Sequence, residues 1–412
     1  MIVTLRKNAF LGLAASVLLF SCAKTNVKSP SASSTVSSTV LVHKYGLVPM
    51  TPEQWKNVPV FTPDLFRSNK EELGLTYSGS LPGSYLLTSP AIRDQGQIGS
   101  CTGFCGSEAN EIIHYYTYNT VPAPPSLTVS SGISTAANTK FTSPVSYFGP
   151  NGELSPLFLY YVERCVINKQ SISTDNGANM VNIGEALQGL KSNTGSGTAL
   201  TLNGHTFKGQ PTEDLYPYPT THITADSPYN LATAASTQFK TAPGSSAISD
   251  ALNFGISIQS GTTGSSGITA HGYYLISSTG DTNEVNNVKI ALLNNKPVMM
   301  GFNVYDNKST YAVFEGLNTT SYVYNPLIAK TSKGVTSYVL NSQLSLLGGH
   351  AVPLIGFVND GTPSTSATGG GYFIAQNSWG VPWGYYGHFY LPYSVLRNSS
   401  VVGSGNLYVA IP

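Results

Sequence analysis

The chain has 412 residues, enough for one large domain or two ordinary ones with a substantial buried core. Its net charge is +1 and only 10% of its residues are charged, against about a quarter in a typical soluble domain. A chain without a basic stripe or an acidic tail does not recruit polyanions by charge, so we expect no nucleic-acid partner.

The first residues have the pattern of an export signal. Two basic residues precede a short apolar run at 9–20, which predicts a signal peptide over residues 1–21. This run is shorter than the roughly 20 apolar residues that a membrane-spanning helix needs. Cys22 follows in what looks like a bacterial lipobox, so we expect Cys22 to be lipidated and to anchor the chain in a membrane. Phe20 is bulkier than that motif usually carries, and cleavage by the ordinary signal peptidase is the alternative.

Residues 22–80 are predicted to be a tether and an N-terminal extension, with the main domain at 81–412. Ser, Thr and Lys dominate 23–40, as in a flexible tether. The rest of the extension is interrupted by prolines and has no long helical period, so we expect no long helix before residue 81. The lipobox predicts an extracytoplasmic location, as an outer-membrane or cell-surface lipoprotein of a bacterium.

The main domain begins with helices and ends with strands. Residues 101–118 predict a helix whose apolar stripe runs through Cys105, Ala109, Ile112 and Tyr116, with two glutamates off that stripe. Further helices are predicted at 155–166, 183–191 and 287–295, and strands at 297–304, 350–358, 371–376 and 387–391. This order predicts an α+β fold with a helical lobe and a β lobe.

Polar segments rich in Ser, Thr, Gly and Asn separate these elements. They lie at 121–150, 192–212, 220–285 and 306–346. Long surface insertions cost little free energy and often reshape access to a site. We therefore expect these segments to leave the core, and to lie near the cleft if they set specificity.

Three glycine-rich motifs hold residues suited to nucleophilic catalysis. Cys101 ends Gln-Gly-Gln-Ile-Gly-Ser-Cys, His350 lies in Gly-Gly-His-Ala-Val, and Asn377 begins Asn-Ser-Trp-Gly. A thiolate is the reactive form of cysteine, and a helix N-terminus and an imidazolium both lower a thiol pKa. We expect Cys101 to start a helix and His350 to start a strand. The Asn377 oxygen can accept from the imidazole N–H and fix its tautomer.

In this order the motifs resemble those of the papain-like cysteine peptidases. The resemblance implies a two-lobed papain-like fold, with the nucleophile helix in a helical lobe and the His and Asn in a β-barrel-like lobe. It also implies an oxyanion hole formed by the Gln95 amide and the Cys101 backbone N–H. Gly177 would let a peptide backbone approach, and Trp379 would cover the histidine–asparagine hydrogen bond on the substrate side. The 249 positions from Cys101 to His350 exceed the family's roughly 130–150 by about 100, which predicts long insertions.

The function that these residues indicate is hydrolysis of peptide bonds through a thioester at Cys101. We expect a peptide or protein substrate and no cofactor, and the His, Cys, Asp and Glu spacings show no zinc pattern. Two alternatives stay open: a non-catalytic binding module on the same fold, and an acyl transferase or amidase that uses the same Cys-His-Asn chemistry.

Overall fold

A computed structural model describes residues 43–63, 81–118, 126–140, 153–191, 197–220, 229–256, 272–276, 282–317 and 322–412. All of them belong to one compact unit that begins at Leu41. The predicted signal peptide and the lipidation site Cys22 lie outside the described residues. Residues 43–63 of the predicted N-terminal extension pack within the same compact unit as the main domain.

Helices dominate the first half of the described chain. The α-helices of the whole described chain are α1 (Pro52–Trp55), α2 (Cys101–Tyr118), α3 (Val129–Asn138), α4 (Pro156–Tyr161), α5 (Met180–Gln188), α6 (Ser245–Asp250), α7 (Thr282–Leu293) and α8 (Tyr393–Leu396). A π-helical stretch, Val162–Ile167, follows α4, and a 3-10 turn, Ala251–Phe254, follows α6.

Strands dominate the second half. The strands of the whole described chain are β1 (Ser84–Leu86), β2 (Thr201–Leu202), β3 (His205–Thr206), β4 (Gly272–Leu275), β5 (Val298–Asp306), β6 (Leu327–Ser332), β7 (Val335–Leu340), β8 (Ser345–Asn359), β9 (Gly371–Gln376), β10 (His388–Pro392) and β11 (Leu407–Ile411). The main sheet has the order β10-β9-β8-β5-β11-β4, and β1 pairs with β8. Every pairing in this sheet is antiparallel.

The sheet divides two hydrophobic clusters because successive side chains of a strand point to opposite faces. On β8, Ala351 belongs to the cluster that contains α2, α4 and α5, whereas Val352 belongs to the cluster that contains β9 and β10. Met299 and Met300 of β5 divide in the same way. The fold thus sets a helical layer against a β layer, which confirms the predicted α+β class.

The predicted elements agree with the structure in type, and the nucleophile helix agrees at both ends. The helix predicted at 155–166 changes to a π-helical geometry from Val162, and β8 starts at Ser345, five residues before the predicted start at His350.

The two glutamates that lie off the apolar stripe of α2 do not face solvent. Glu108 and Glu111 are fully buried, and Arg93 forms an ion pair with Glu111 at 3.1 Å. The backbone N–H of Leu154 also donates to Glu111 at 2.7 Å. Burial raises the pKa of Glu108 to about 8, and burial outweighs Arg93 to raise the pKa of Glu111 to about 7. Arg93 and the backbone of Leu154 therefore take the place of solvent at this face of α2.

The predicted insertions divide into buried and exposed parts. Within 220–285, β4 forms an edge of the main sheet, and all four of its residues are buried. Within 306–346, β6 and β7 form a separate two-stranded hairpin that is mostly exposed. The expectation that these segments leave the core therefore holds for the hairpin and is wrong for β4, whose pairing with β11 makes it part of the sheet.

Candidate active site

Cys101 is the first residue of α2 and has no exposed surface. The turn before it is held from across the cleft, because the Gly99 N–H donates to the Asp175 carboxylate at 3.0 Å. The Ser100 N–H turns back to donate to the Ile98 carbonyl at 2.8 Å. The sulfur thus lies at the N-terminal, positive end of an 18-residue helix, as predicted.

His350 and Asn377 are joined by a hydrogen bond. The His350 Nε2 lies 2.7 Å from the Asn377 Oδ1, so the imidazole N–H donates to the amide oxygen. The Asn377 oxygen also accepts from the Ser378 N–H at 2.9 Å, which fixes the orientation of the amide. The other ring nitrogen, Nδ1, is buried without a hydrogen-bond partner among the described residues. That nitrogen is therefore the one that remains unprotonated and free to act as a base.

The nucleophile and the histidine motif meet at the interface of the two layers. The backbone N–H of Ala351, the residue after His350, lies near enough to Cys101 to favour the thiolate and oppose the rise of the thiol pKa. The two motifs lie 249 positions apart in the chain, and the packing of α2 against β8 brings them together. The structure thus brings Cys101, His350 and Asn377 into one site.

Gln95 points its amide into the same cleft. Its Nε2 donates to the Ile98 carbonyl at 2.8 Å and to the Lys44 carbonyl at 2.9 Å, and its Oε1 accepts from the Ser378 hydroxyl at 2.8 Å. Three hydrogen bonds fix the amide, so its N–H groups are oriented before any carbonyl arrives. The carbonyl that now accepts from this amide belongs to the N-terminal part of the chain.

Trp379 covers the histidine, as predicted. Its ring is fully buried and its centroid lies 5.1 Å from that of His350. Gly177 lies across the cleft at a φ of +77°, where a side chain would also meet the Gly46 carbonyl oxygen at 2.1 Å. Gly177 therefore does admit a peptide backbone, and the backbone it admits is the chain's own.

Residues 43–48, the cleft segment, run between Gly177 and the histidine motif. Backbone hydrogen bonds hold this segment on both sides. The Leu47 N–H donates to the Gly349 carbonyl at 3.0 Å, the Val48 N–H donates to the Ala178 carbonyl at 2.8 Å, and the Ala178 N–H donates to the Gly46 carbonyl at 3.0 Å. The segment is antiparallel to Gly349 and parallel to Ala178. It therefore occupies the cleft as an added strand.

Gly46 lies against the catalytic turn so closely that no side chain fits there. A Cβ at this position would lie 1.7 Å from the Gly99 carbonyl oxygen, and the Gly46 backbone contacts the Cys101 sulfur. As expected from the sequence, residues 43–63 contain no long helix of the kind a usual inhibitory propeptide carries, but an extended segment fills the cleft instead. The cleft segment was not predicted from the sequence, because a strand that pairs through its backbone needs no hydrophobic period. The local indication in the sequence is Gly46, a glycine between the bulky residues Tyr45 and Leu47.

The side chains of the cleft segment are anchored on three sides. Lys44 donates to the Asp175 carboxylate at 2.8 Å, and the Tyr45 hydroxyl donates to Glu315. His43 lies 3.1 Å from Asp94 and stacks on the Trp379 ring at a centroid distance of 4.7 Å. Each of these partners belongs to the main domain, so the segment is held by side chains as well as by its backbone.

Burial keeps the covered nucleophile and base neutral. Burial raises the pKa of the Cys101 thiol to about 12, although backbone amides at Gly46, Ala351 and Thr102 oppose the shift. Burial lowers the pKa of His350 to about 4, although the hydrogen bond to Asn377 opposes it. In the covered cleft, desolvation therefore outweighs the backbone N–H groups around the thiol and raises its pKa, opposite in direction to the low pKa that the sequence led us to expect.

The insertion that follows β5 also reaches the site. The Asp306 carboxylate accepts from the N–H groups of Val313, Phe314 and Glu315 at 2.7–2.9 Å. The Phe314 ring packs against His350 and Trp379 at centroid distances of 6.0 and 5.1 Å. From the sequence we expected this insertion to lie near the cleft if it sets specificity, but Phe314 and Glu315 were not identified because neither belongs to a recognised motif.

Neither a metal-binding cluster nor a membrane-spanning helix occurs among the described residues. Within these ranges no group of three or more His, Cys, Asp or Glu side chains is arranged to hold a metal ion. None of the helices described is both long enough and apolar enough to cross a membrane.

Comparisons with known proteins agree with this architecture. Residues 206–404, which include His350 and Asn377, match the model of the papain family cysteine proteases. The chain is 29% identical over 133 residues to an uncharacterized peptidase C1-like protein of Acanthamoeba polyphaga mimivirus. That match covers 31% of this chain and 34% of the viral protein, so it spans about a third of the relative.

Solved structures resemble the whole described body. Xylellain, a cysteine protease from Xylella fastidiosa, superposes with a TM-score of 0.52 at 20% identity, covering 91% of this chain and 98% of that one. A procathepsin B from Trypanosoma congolense gives a TM-score of 0.43 at 15% identity, covering 89% of this chain and 86% of that one. The similarity to xylellain shows that the fold is papain-like. The family match, which covers slightly less than half of the chain, is likewise to cysteine proteases.

Proposed function

We propose that this protein hydrolyses peptide bonds through a thioester at Cys101 and that residues 43–48 hold it in a latent state. The observation that carries the proposal is the hydrogen bond of 2.7 Å from His350 to Asn377. It engages Nε2 and leaves the buried Nδ1 as the free nitrogen, one residue from the Ala351 backbone N–H that lies near Cys101.

In the proposed reaction, the Cys101 sulfur attacks the carbonyl carbon of the substrate while its proton passes to the His350 Nδ1. The carbonyl oxygen becomes an oxyanion and accepts from the Gln95 amide, in the place where the Lys44 carbonyl now lies. The C–N bond then breaks as the imidazolium returns the proton to the leaving amine. Water, deprotonated by His350, attacks the thioester and releases the acid and the thiol.

The cleft segment blocks this reaction in two ways. It fills the cleft with its own backbone, and it removes the water that an ion pair between sulfur and imidazole requires. The backbone atom against the sulfur is an amide of Gly46, two residues past the Lys44 carbonyl that Gln95 holds.

We also propose that the protein is exported and anchored by a lipid on Cys22. The support is the order of the N-terminal residues: basic residues, a short apolar run, and a cysteine followed by a polar tether. An extracytoplasmic bacterial protein would then carry its peptidase domain at a membrane surface, with peptide or protein substrates reaching it from solution.

A thiol-reactive epoxide probe tests the proposed nucleophile. After the cleft segment is displaced, Cys101 should be labelled, while Cys105, buried in the core, and Cys165, half-buried beside Tyr161, should not be. Cys105→Ala and Cys165→Ala provide matched controls and should label as the parent chain does. Labelling that survives Cys101→Ala would contradict the proposal.

A further inference from the structure

A pocket for one side chain lies beside the catalytic histidine. In the covered cleft it holds the ring of Tyr45, whose centroid lies 6.2 Å from that of His350 and 5.6 Å from that of Trp379. The His350 and Trp379 rings each form an edge-to-face contact with the Tyr45 ring. The walls of the pocket are thus aromatic and belong to the main domain, so they remain when the cleft segment leaves.

The floor of the pocket is a glycine that is required for space. A Cβ on Gly348 would lie 2.6 Å from the Tyr45 Cβ and 2.9 Å from its Cγ. Gly348 lies within β8, where its backbone is extended, so the backbone conformation does not demand a glycine. Any larger residue there would fill the place of the ring.

The end of the pocket is a carboxylate from the insertion after β5. The Tyr45 hydroxyl donates to the Glu315 Oε1. The Glu315 backbone N–H donates to the buried Asp306 carboxylate at 2.9 Å, which fixes the position of Glu315. Burial raises the pKa of Glu315 to about 7, and the hydrogen bond from Tyr45 opposes the shift. When the cleft segment leaves, this carboxyl loses its hydroxyl donor.

We infer that Glu315 is a specificity-determining residue, and that the pocket selects substrates with a tyrosine side chain beside the scissile bond. The inference rests on the proposed peptidase function and adds a substrate class to it. The aromatic walls accept tyrosine and phenylalanine alike, so the discrimination between them comes from Glu315. A phenylalanine would bury the carboxyl without a donor, whereas a tyrosine restores the hydrogen bond that Tyr45 makes.

The experiment compares peptides that differ only by one hydroxyl. The full chain carries Gly46→Val to displace the cleft segment, and Lys44→Glu, which sets a carboxylate against Asp175, provides a second open background. Tyrosine and phenylalanine are exchanged at each position of a library, and cleavage is measured with Glu315, Glu315→Gln and Glu315→Leu. Binding of the same peptides is measured by fluorescence anisotropy with Cys101→Ala added.

At one position, tyrosine should exceed phenylalanine by about tenfold to a hundredfold, the range expected for a hydrogen bond to a charged group. Glu315→Gln should reduce that ratio and Glu315→Leu should abolish or reverse it. Gly348→Ala should weaken both peptides equally, because it fills the floor. A ratio near one at every position, or a ratio that Glu315→Leu leaves unchanged, would overturn the inference. Binding without cleavage would count against the peptidase proposal, while the ratio of binding constants still decides the role of Glu315.

Discussion

Replacing Gly46 with valine should convert the covered protein into an open one. The new Cβ would lie 1.7 Å from the Gly99 carbonyl oxygen and 2.2 Å from its carbonyl carbon. Both atoms are backbone of the catalytic turn, and that turn is held by the Asp175 carboxylate. No rotamer change relieves such an overlap, so the cleft segment has to move away.

The size of the effect follows from what holds the segment. Three backbone hydrogen bonds join it to Ala178 and Gly349, and each contributes about 0.5–1.5 kcal/mol net. The ion pair from Lys44 adds little, because the Lys44 side chain is 45% exposed. Forcing extra atoms into a packed site costs about 1–3 kcal/mol or more. The population of the open state should therefore rise by roughly 5- to 150-fold.

The assay is the rate at which an epoxide probe labels Cys101, followed by intact-protein mass spectrometry. If the segment opens and closes faster than the probe reacts, the labelling rate should rise by the same factor as the open population. Gly83→Val is the matched control, since a Cβ at Gly83 has no atom within 4 Å, and its labelling rate should equal that of the parent chain. An unchanged labelling rate in a Gly46→Val protein that keeps its thermal stability would refute the proposal that the cleft segment covers Cys101. An equal increase in the labelling rate of Gly83→Val would refute it as well.

Three further outcomes are expected. In the open background, Asn377→Ala should lower kcat by about a hundredfold or more at unchanged thermal stability, because a misoriented imidazole loses acid–base catalysis worth about 10²–10⁴; an unchanged kcat would contradict that role. Burial raises the pKa of Glu163 from 4.5 to about 8, so the unfolded chain releases a proton that the folded chain keeps, and folding stability falls as pH rises through this window. Glu163→Gln should remove that contribution. As the pH rises, the free energy of unfolding measured by denaturant titration should therefore change in favour of the variant by up to about 1.4 kcal/mol per pH unit. Parallel pH profiles of the two proteins would contradict the burial argument. Wild-type protein should fractionate with membranes and Cys22→Ser should become soluble, since acyl-chain burial contributes about 0.8 kcal/mol per CH₂; recovery of the wild type wholly in the soluble fraction would count against the anchor.

The catalytic motifs could be predicted from the sequence because each has a local pattern. The nucleophile helix agrees at both ends, since a glycine-rich turn precedes Cys101 and an apolar period follows it. The turn of Asn377 agrees because an apolar run ends there at turn residues, whereas β8 begins five residues before the predicted start at His350. These features depend on neighbours in the chain, which sequence reasoning handles well.

The cover of the cleft could not be predicted, because it depends on partners far away in the chain. Leu47 pairs with Gly349 and Ala178 through backbone atoms, which any residue supplies. Glu315 lies in a polar insertion, so the sequence does not distinguish it from a solvent-exposed glutamate. Its role becomes visible only when the structure shows its hydrogen bond with Tyr45. The burial of Glu111 also depends on residues outside its helix, because Arg93 and the Leu154 backbone contact its carboxylate.

The most direct test of the account is peptide hydrolysis by the Gly46→Val chain with and without Cys101→Ala. We predict measurable kcat/KM for Gly46→Val, the same value when Cys105→Ala is added, and complete loss when Cys101→Ala is added to a protein of unchanged thermal stability. Hydrolysis that persists in the Cys101→Ala protein would contradict the assignment of the nucleophile, whatever the structure of the cleft.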